Sequence, residues 1–169
     1  ERVPLPIDYF FRSLAEDQGD RAIGVILSGT ATDGTLGLEE IKAEGGITFA
    51  QDDTAQQTSM PHSAIATGCV DFVLSPAGIA AEIGRIARHP HLTLAAPAGK
   101  ARADELDTGD ILEILRKATD VDFSQYKASS LSRRITRRMV LHKIKERKDY
   151  ARFLHKNPGE VEALYQDIL

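Results

Sequence analysis

The stretch Ile23–Ile41 constrains the fold more than any other. Ile23, Val25, Ile26 and Leu27 form a short apolar run that breaks into a loop of small residues, Ser28 to Gly34. A helical period then begins at once with Leu36, Leu38 and Ile41. So short and continuous a run reads as a buried parallel strand, and the whole as a strand–loop–helix unit. Ligands and catalytic groups collect at the carboxyl ends of such strands. The loop carries one acid, Asp33, between Thr32 and Gly34.

The flanking sequence repeats the alternation. A helix is expected over 7–18, with Ile7, Phe10, Phe11 and Leu14 on its inner stripe, then a strand over 22–27 and a helix over 35–44 stopped by Gly45-Gly46. A second strand at 47–50 leads into a polar loop, 51–59, longer than most. Met60-Pro61 opens a short helix ended by Gly68, a third strand spans 70–74, and Ser75-Pro76 starts a helix with Ile79, Ile83 and Ile86 on one side. Strict alternation predicts an α/β unit over 1–88: part of a doubly wound parallel sheet with flanking helices.

Residues 89–107 hold two prolines, several alanines and Gly99, and read as a linker. From 108 to 169 no strand signal remains. Ile111, Ile114, Leu115 and Ala118 mark one amphipathic helix; further helices are expected from Ser129-Ser130 to about Lys145, over 149–155, and from Asn157-Pro158 through Ile168. That is a small all-α bundle whose own core is marginal at this size.

Charge divides along the same line. Residues 1–98 hold 13 acids against 6 Lys and Arg, residues 99–169 hold 12 against 15, so an overall −4 splits into −7 and +3. Such asymmetry suggests two modules with different partners. A single cysteine, Cys69, excludes an internal disulfide framework and a cysteine-rich zinc site. Five scattered histidines give no metal-binding spacing, so no metal is expected. No apolar run reaches membrane-spanning length and no signal-peptide pattern is present, which fits a cytoplasmic setting. The chain opens on Glu1 rather than Met, and a cut piece of a longer protein is expected.

Two readings of Asp33 stand side by side: an acid that orients a catalytic histidine, or a helix N-cap or Asx-turn residue. A Walker loop would need Lys where Thr35 stands, and the dinucleotide glycine spacing is absent. No serine lies in a nucleophile elbow, and His62 and Ser63, adjacent on a short helix, point apart. The second constellation is basic: Arg133, Arg134, Arg137 and Arg138, opposite Leu131, Ile135 and Met139 on a helical wheel. It reads as a docking surface for carboxylates or phosphates, or as a solvated helix face. Against nucleic acid stand the modest +3 and the lack of a groove-reading signature.

The loop at 27–34, the helix ending in Gly-Gly, the strand end Phe49-Ala50-Gln51-Asp52, Met60-Pro61-x-x-Ala64-Ile65 and Gly68-x-Val70-Asp71 together resemble the C-terminal part of the chemotaxis protein-glutamate methylesterase (CheB) catalytic domain, over roughly residues 3–90. The resemblance implies a Ser-His-Asp triad in chain order, with Asp33 as its acid. It places Thr30 at the oxyanion pocket, where the family often has Met. The family's serine and histidine segments do not occur in this sequence and would lie upstream, so the fragment alone is expected to be inactive.

Asp122-Phe123-x-x-Tyr126-Lys127, Arg133-Arg134-Ile135-x-Arg137-Arg138-Met139 and Asp149-Tyr150-x-x-Phe153-Leu154 resemble the N-terminal helical domain of the chemotaxis protein-glutamate O-methyltransferase (CheR) family. There the basic helix faces the acidic methylation helices of chemoreceptors, and an S-adenosylmethionine domain follows. The resemblances imply a fused receptor-modifying signalling protein whose four arginines hold a helical receptor with glutamate methylation sites, and whose cofactor contacts lie outside this fragment. The alternative is a non-catalytic signalling scaffold. Oligomeric state stays open.

Overall fold

The computed structural model describes residues 5–89 and 108–169. The chain divides into two units, 1–86 and 87–169.

The first unit alternates as its sequence does: α1 (Pro6–Gln18), a 3-10 turn (Gly19–Arg21), β1 (Ile23–Ile26), α2 (Thr35–Ala43), β2 (Ile47–Gln51), α3 (Ser59–Ala66), β3 (Phe72–Leu74) and α4 (Pro76–Ile86). The strands form one parallel sheet in the order β1-β2-β3. Val25 pairs with Phe49 and Phe49 with Phe72, the two rings stacking at 5.1 Å. β2 is buried throughout, as a central parallel strand must be. Ile26, Leu38, Ile41, Phe11, Ala15 and Ala64 gather the helices against the sheet. α1 lies close on α2 because Gly37 has no side chain: a Cβ there would stand 2.5 Å from Phe11 Cβ and 3.1 Å from the Asp8 backbone.

The third strand is shorter than the periodicity predicts. Asp71, just before it, is still latched to β2: its amide donates to Thr48 O at 3.1 Å and its Oδ2 accepts from the Thr48 amide at 3.0 Å. The single thiol, Cys69, is buried beneath α3, and burial pushes its pKa up.

The second unit is helical among the described residues: α5 (Gly109–Thr119), a 3-10 turn (Phe123–Gln125), α6 (Ala128–Leu141), α7 (Arg147–Lys156) and α8 (Pro158–Ile168). Ile111, Leu115, Ile135, Met139, Tyr150 and Leu164 are at most marginally exposed and form its core. Two expectations need correction. α6 starts at Ala128 with no side-chain cap from Ser129 or Ser130. It stops at Leu141 rather than near Lys145: Lys143 takes a left-handed φ of 60°, its amide bonds Val140 O at 3.2 Å, and the Ile144 amide bonds Met139 O at 2.9 Å. This is a Schellman stop with lysine in the usual glycine position. His89, placed in the linker by composition, is buried and sets Nε2 2.9 Å from Ile144 O of the second unit. The rest of that linker, 90–107, lies outside the described residues.

Candidate functional site

Asp33 sits at the carboxyl end of β1, one residue before Gly34, whose φ of 93° turns the chain into α2. Its carboxylate does not cap that helix. It reaches back to α1, where Oδ2 accepts the Ile7 amide at 3.1 Å and Oδ1 accepts the Asp8 amide at 2.9 Å. α1 has Leu5 at its cap position and no capping side chain of its own there, so Asp33 satisfies two of its orphan donors from 25 and 26 residues away. A negative group at a helix N-terminus is also favoured by the helix dipole. The cap reading of Asp33 is thus realised, on a different helix from the one its position suggests.

Asp8 completes the arrangement. It is 5% exposed, and its Oδ1 accepts the Gly37 amide in the first turn of α2 at 2.7 Å. Composition and periodicity give no signal for this contact, because Asp8 reads simply as an acid in a helix's first turn.

The loop between β1 and Asp33 is fastened from the other side. Gln51, at the end of β2, accepts the Ser28 amide through Oε1 at 2.9 Å and donates to Thr54 Oγ1 at 3.1 Å. The Gln57 amide donates to Ser28 Oγ at 2.9 Å, the Gly29 amide to Gln57 O at 3.0 Å, and the Met60 amide to Gly29 O at 3.1 Å. The long polar loop is therefore the support for the Asp33 loop. Thr30 is exposed at its tip, beside Ala31 at a left-handed φ of 72°. Among the described residues the amides of Thr30, Ala31 and Thr32 make no hydrogen bond, which leaves three donors in a row beside Asp33. His62 lies with Asp53 at 3.0 Å on an exposed surface.

The four arginines separate. Arg137 is 3% exposed and donates from Nη1 to Asp167 Oδ2 at 2.7 Å. Arg138 grips Glu160 with both Nε, at 2.8 Å, and Nη2. The wheel's expectation of four arginines on one open arc fails for these two, because α8 supplies carboxylates that a wheel of α6 alone does not contain. Arg133 and Arg134 remain partly exposed.

Glu160 is the hub of that second cluster. Besides Arg138 it accepts from Tyr150 Oη at 2.7 Å and meets His142 Nε2 at 2.6 Å. Burial opposes its ionisation, but the hydrogen bonds from Arg138 and Tyr150 outweigh this and hold its carboxyl below the usual range. Burial first, then the Glu160 charge, push the Tyr150 phenol up.

A parallel α/β unit with a carboxylate at a strand's carboxyl end, followed by a helical unit with internally paired arginines, defines a two-module protein. Residues 1–83 match the family model of CheB methylesterase, and residues 107–169 that of CheR methyltransferase, all-alpha domain. The first module is thus similar to CheB methylesterases and the second to the all-alpha domain of CheR methyltransferases.

An uncharacterized 104.1 kDa protein of Rhodobacter capsulatus is 34% identical over 189 residues, covering 99% of this chain and 20% of the relative. Protein-glutamate methylesterase/protein-glutamine glutaminase 1 of Burkholderia pseudomallei is 48% identical over 68 residues, 40% of this chain and 19% of the relative. The chain therefore spans about a fifth of the length of these two relatives. The crystal structure of the Thermotoga maritima CheB methylesterase catalytic domain matches 45% of this chain and 41% of its own at 35% identity, with a TM-score of 0.44.

Proposed function

We propose that Asp33 is the acid of a Ser-His-Asp triad in a chemoreceptor protein-glutamate methylesterase, with the serine and histidine contributed by a part of the polypeptide outside these residues. The observation that carries the reading is the Asp33 carboxylate itself: fixed by two amides at the carboxyl end of β1. An ionised carboxylate has about four lone-pair sites, so two remain for an imidazole N–H. In that role Asp33 holds the imidazole's tautomer and orientation and stabilises the imidazolium as the serine attacks the ester. The free amides around Thr30 suit a developing oxyanion. The test is Asp33→Asn in the full-length polypeptide. Methyl-ester hydrolysis is expected to fall about 10⁴-fold in kcat, and an unchanged rate would sink the assignment.

The second module is assigned to receptor docking in a protein-glutamate O-methyltransferase. Arg133 and Arg134 carry the acidic, helical, receptor-like substrate, with Arg137 and Arg138 bracing the helix from within. S-adenosylmethionine belongs to the parent enzyme. The residues present do not fit it: among the described residues the second unit has no strand-to-helix crevice of the kind that takes such cofactors. No helix of the described residues is long and apolar enough to cross a membrane, which supports a cytoplasmic setting beside receptor tails. A scaffold without catalysis is favoured by one fact, that Asp33 has a capping role needing no triad.

A further inference from the structure

We propose that Asp8 is a positioning residue for the Asp33 carboxylate. The inference rests on the reading of Asp33 as the triad acid. Asp33 holds the start of α1 through the Ile7 and Asp8 amides, and Asp8 holds the start of α2 through the Gly37 amide. The two acids and two helix starts form a closed ring, in which Asp33 lies directly before α2. If the Asp8–Gly37 bond is lost, α1 and α2 can shift along each other, and the amides that aim Asp33 shift with α1. A misplacement of about 1 Å at a catalytic group can cost 10²-fold in rate.

The chemistry of Asp8 makes a plain cap an insufficient account. Asp8 Oδ2 is buried and has no hydrogen-bond partner among the described residues. A buried carboxylate oxygen left unpaired is costly, so the Asp8–Gly37 bond is kept at the expense of a polar atom without a partner. The space needed for the ring is also held open: a Cβ at Gly37 would strike Phe11 Cβ at 2.5 Å, and one at Gly34 would strike Ile7 Cγ2 at 2.8 Å.

The test uses the full-length polypeptide and a methyl-esterified glutamate peptide, with circular dichroism confirming that each variant is folded at the assay temperature. Asp8→Ala is expected to lose at least ten-fold in kcat with KM within two-fold of wild type. Asp8→Asn, whose amide oxygen still accepts from Gly37, is expected to recover kcat to within about three-fold. A folded Asp8→Ala enzyme with wild-type kcat, beside an inactive Asp33→Asn, overturns the inference and leaves the triad reading standing. Full activity in Asp33→Asn overturns both. If Asp8→Ala does not fold, Asp8→Leu, similar in size and without an acceptor, takes its place: a ten-fold or greater loss of kcat in the folded variant supports positioning, and wild-type kcat refutes it.

Discussion

Asp8 and Asp33 cap helices in opposite directions: the Asp33 carboxylate takes the Asp8 amide at 2.9 Å, while the Asp8 carboxylate takes the amide of Gly37, four residues beyond Asp33. Neither acid caps the helix it precedes or begins. The pairing ties the first helix of the unit to the loop after β1, where the candidate chemistry lies.

The first consequence is for stability. Asp33→Ala removes both acceptors from the start of α1 and is expected to cost about 0.5–2 kcal/mol. Asp33→Asn keeps one acceptor and should cost less. Urea denaturation of the chain, followed by circular dichroism, measures both. Equal stability of wild type and Asp33→Ala would mean that water replaces the carboxylate at no cost.

Gly37 supplies a steric test of the same junction. Gly37→Ala places a methyl group within 2.5 Å of Phe11 Cβ and 3.1 Å of the Asp8 carbonyl. Backbone cannot yield as a side chain can, so overpacking of about 1–3 kcal/mol is expected despite alanine's better helix propensity. A rise in the denaturation midpoint would contradict the close α1–α2 approach.

What was legible in the sequence, and what was not, divides by range. The alternation of apolar runs with helical periods is local, and it located each strand and helix of the first unit to within a few residues. Asp33 stood out because it is alone in a loop of small residues. Its partners did not, because Ile7 and Asp8 lie 26 and 25 residues away and contribute backbone amides, which leave no residue-type signature. The internal pairing of Arg137 and Arg138 was not legible for a related reason. A wheel of α6 shows which residues share an arc, not that Asp167 and Glu160 of α8 face it. The early stop of α6 was hidden because lysine, not glycine, occupies the left-handed position.

That lysine gives a prediction of the opposite sign. A non-glycine residue in the left-handed region costs roughly 1–2 kcal/mol. Lys143→Gly relieves this strain while loosening the unfolded chain, so a net gain of about 0.5–1 kcal/mol is expected. The readout is the thermal midpoint of the second unit, and a loss of stability would show that the Lys143 side chain contributes more than its backbone strain.

The Glu160 cluster sets a pH dependence. Its carboxyl is held below the ordinary 4.5 in the folded state, burial opposing and the Arg138 and Tyr150 hydrogen bonds prevailing. A depressed folded pKa contributes stability that is complete above the unfolded value and is lost as pH falls through the folded one. Acidification from about pH 6 to pH 3 should therefore weaken the second unit, and Glu160→Gln should flatten that slope. Because Glu160 is 7% exposed, Glu160→Ala leaves Arg138 only the longer 3.7 Å pairing to Asp167 and takes the acceptor from Tyr150 Oη, and is expected to cost about 3–5 kcal/mol. Urea midpoints across the pH series distinguish these outcomes. A wild-type slope in Glu160→Gln would assign the acid sensitivity to another carboxylate.

The proposed docking surface is testable only if the partly exposed Arg133 and Arg134 are treated separately from Arg137 and Arg138. Arg137 and Arg138 are committed to Asp167 and Glu160, so reversing either charge buries a carboxylate against a carboxylate and should unfold the unit. Arg133→Glu with Arg134→Glu should weaken binding to an acidic helical receptor peptide, and circular dichroism of the same variant reads out any loss of fold separately. The difference should be largest at low ionic strength and shrink near 0.15 M salt, where the screening length is about 8 Å. Fluorescence anisotropy of the labelled peptide across a salt series measures it. Equal affinity of the double variant and wild type at low salt would remove Arg133 and Arg134 from the interface.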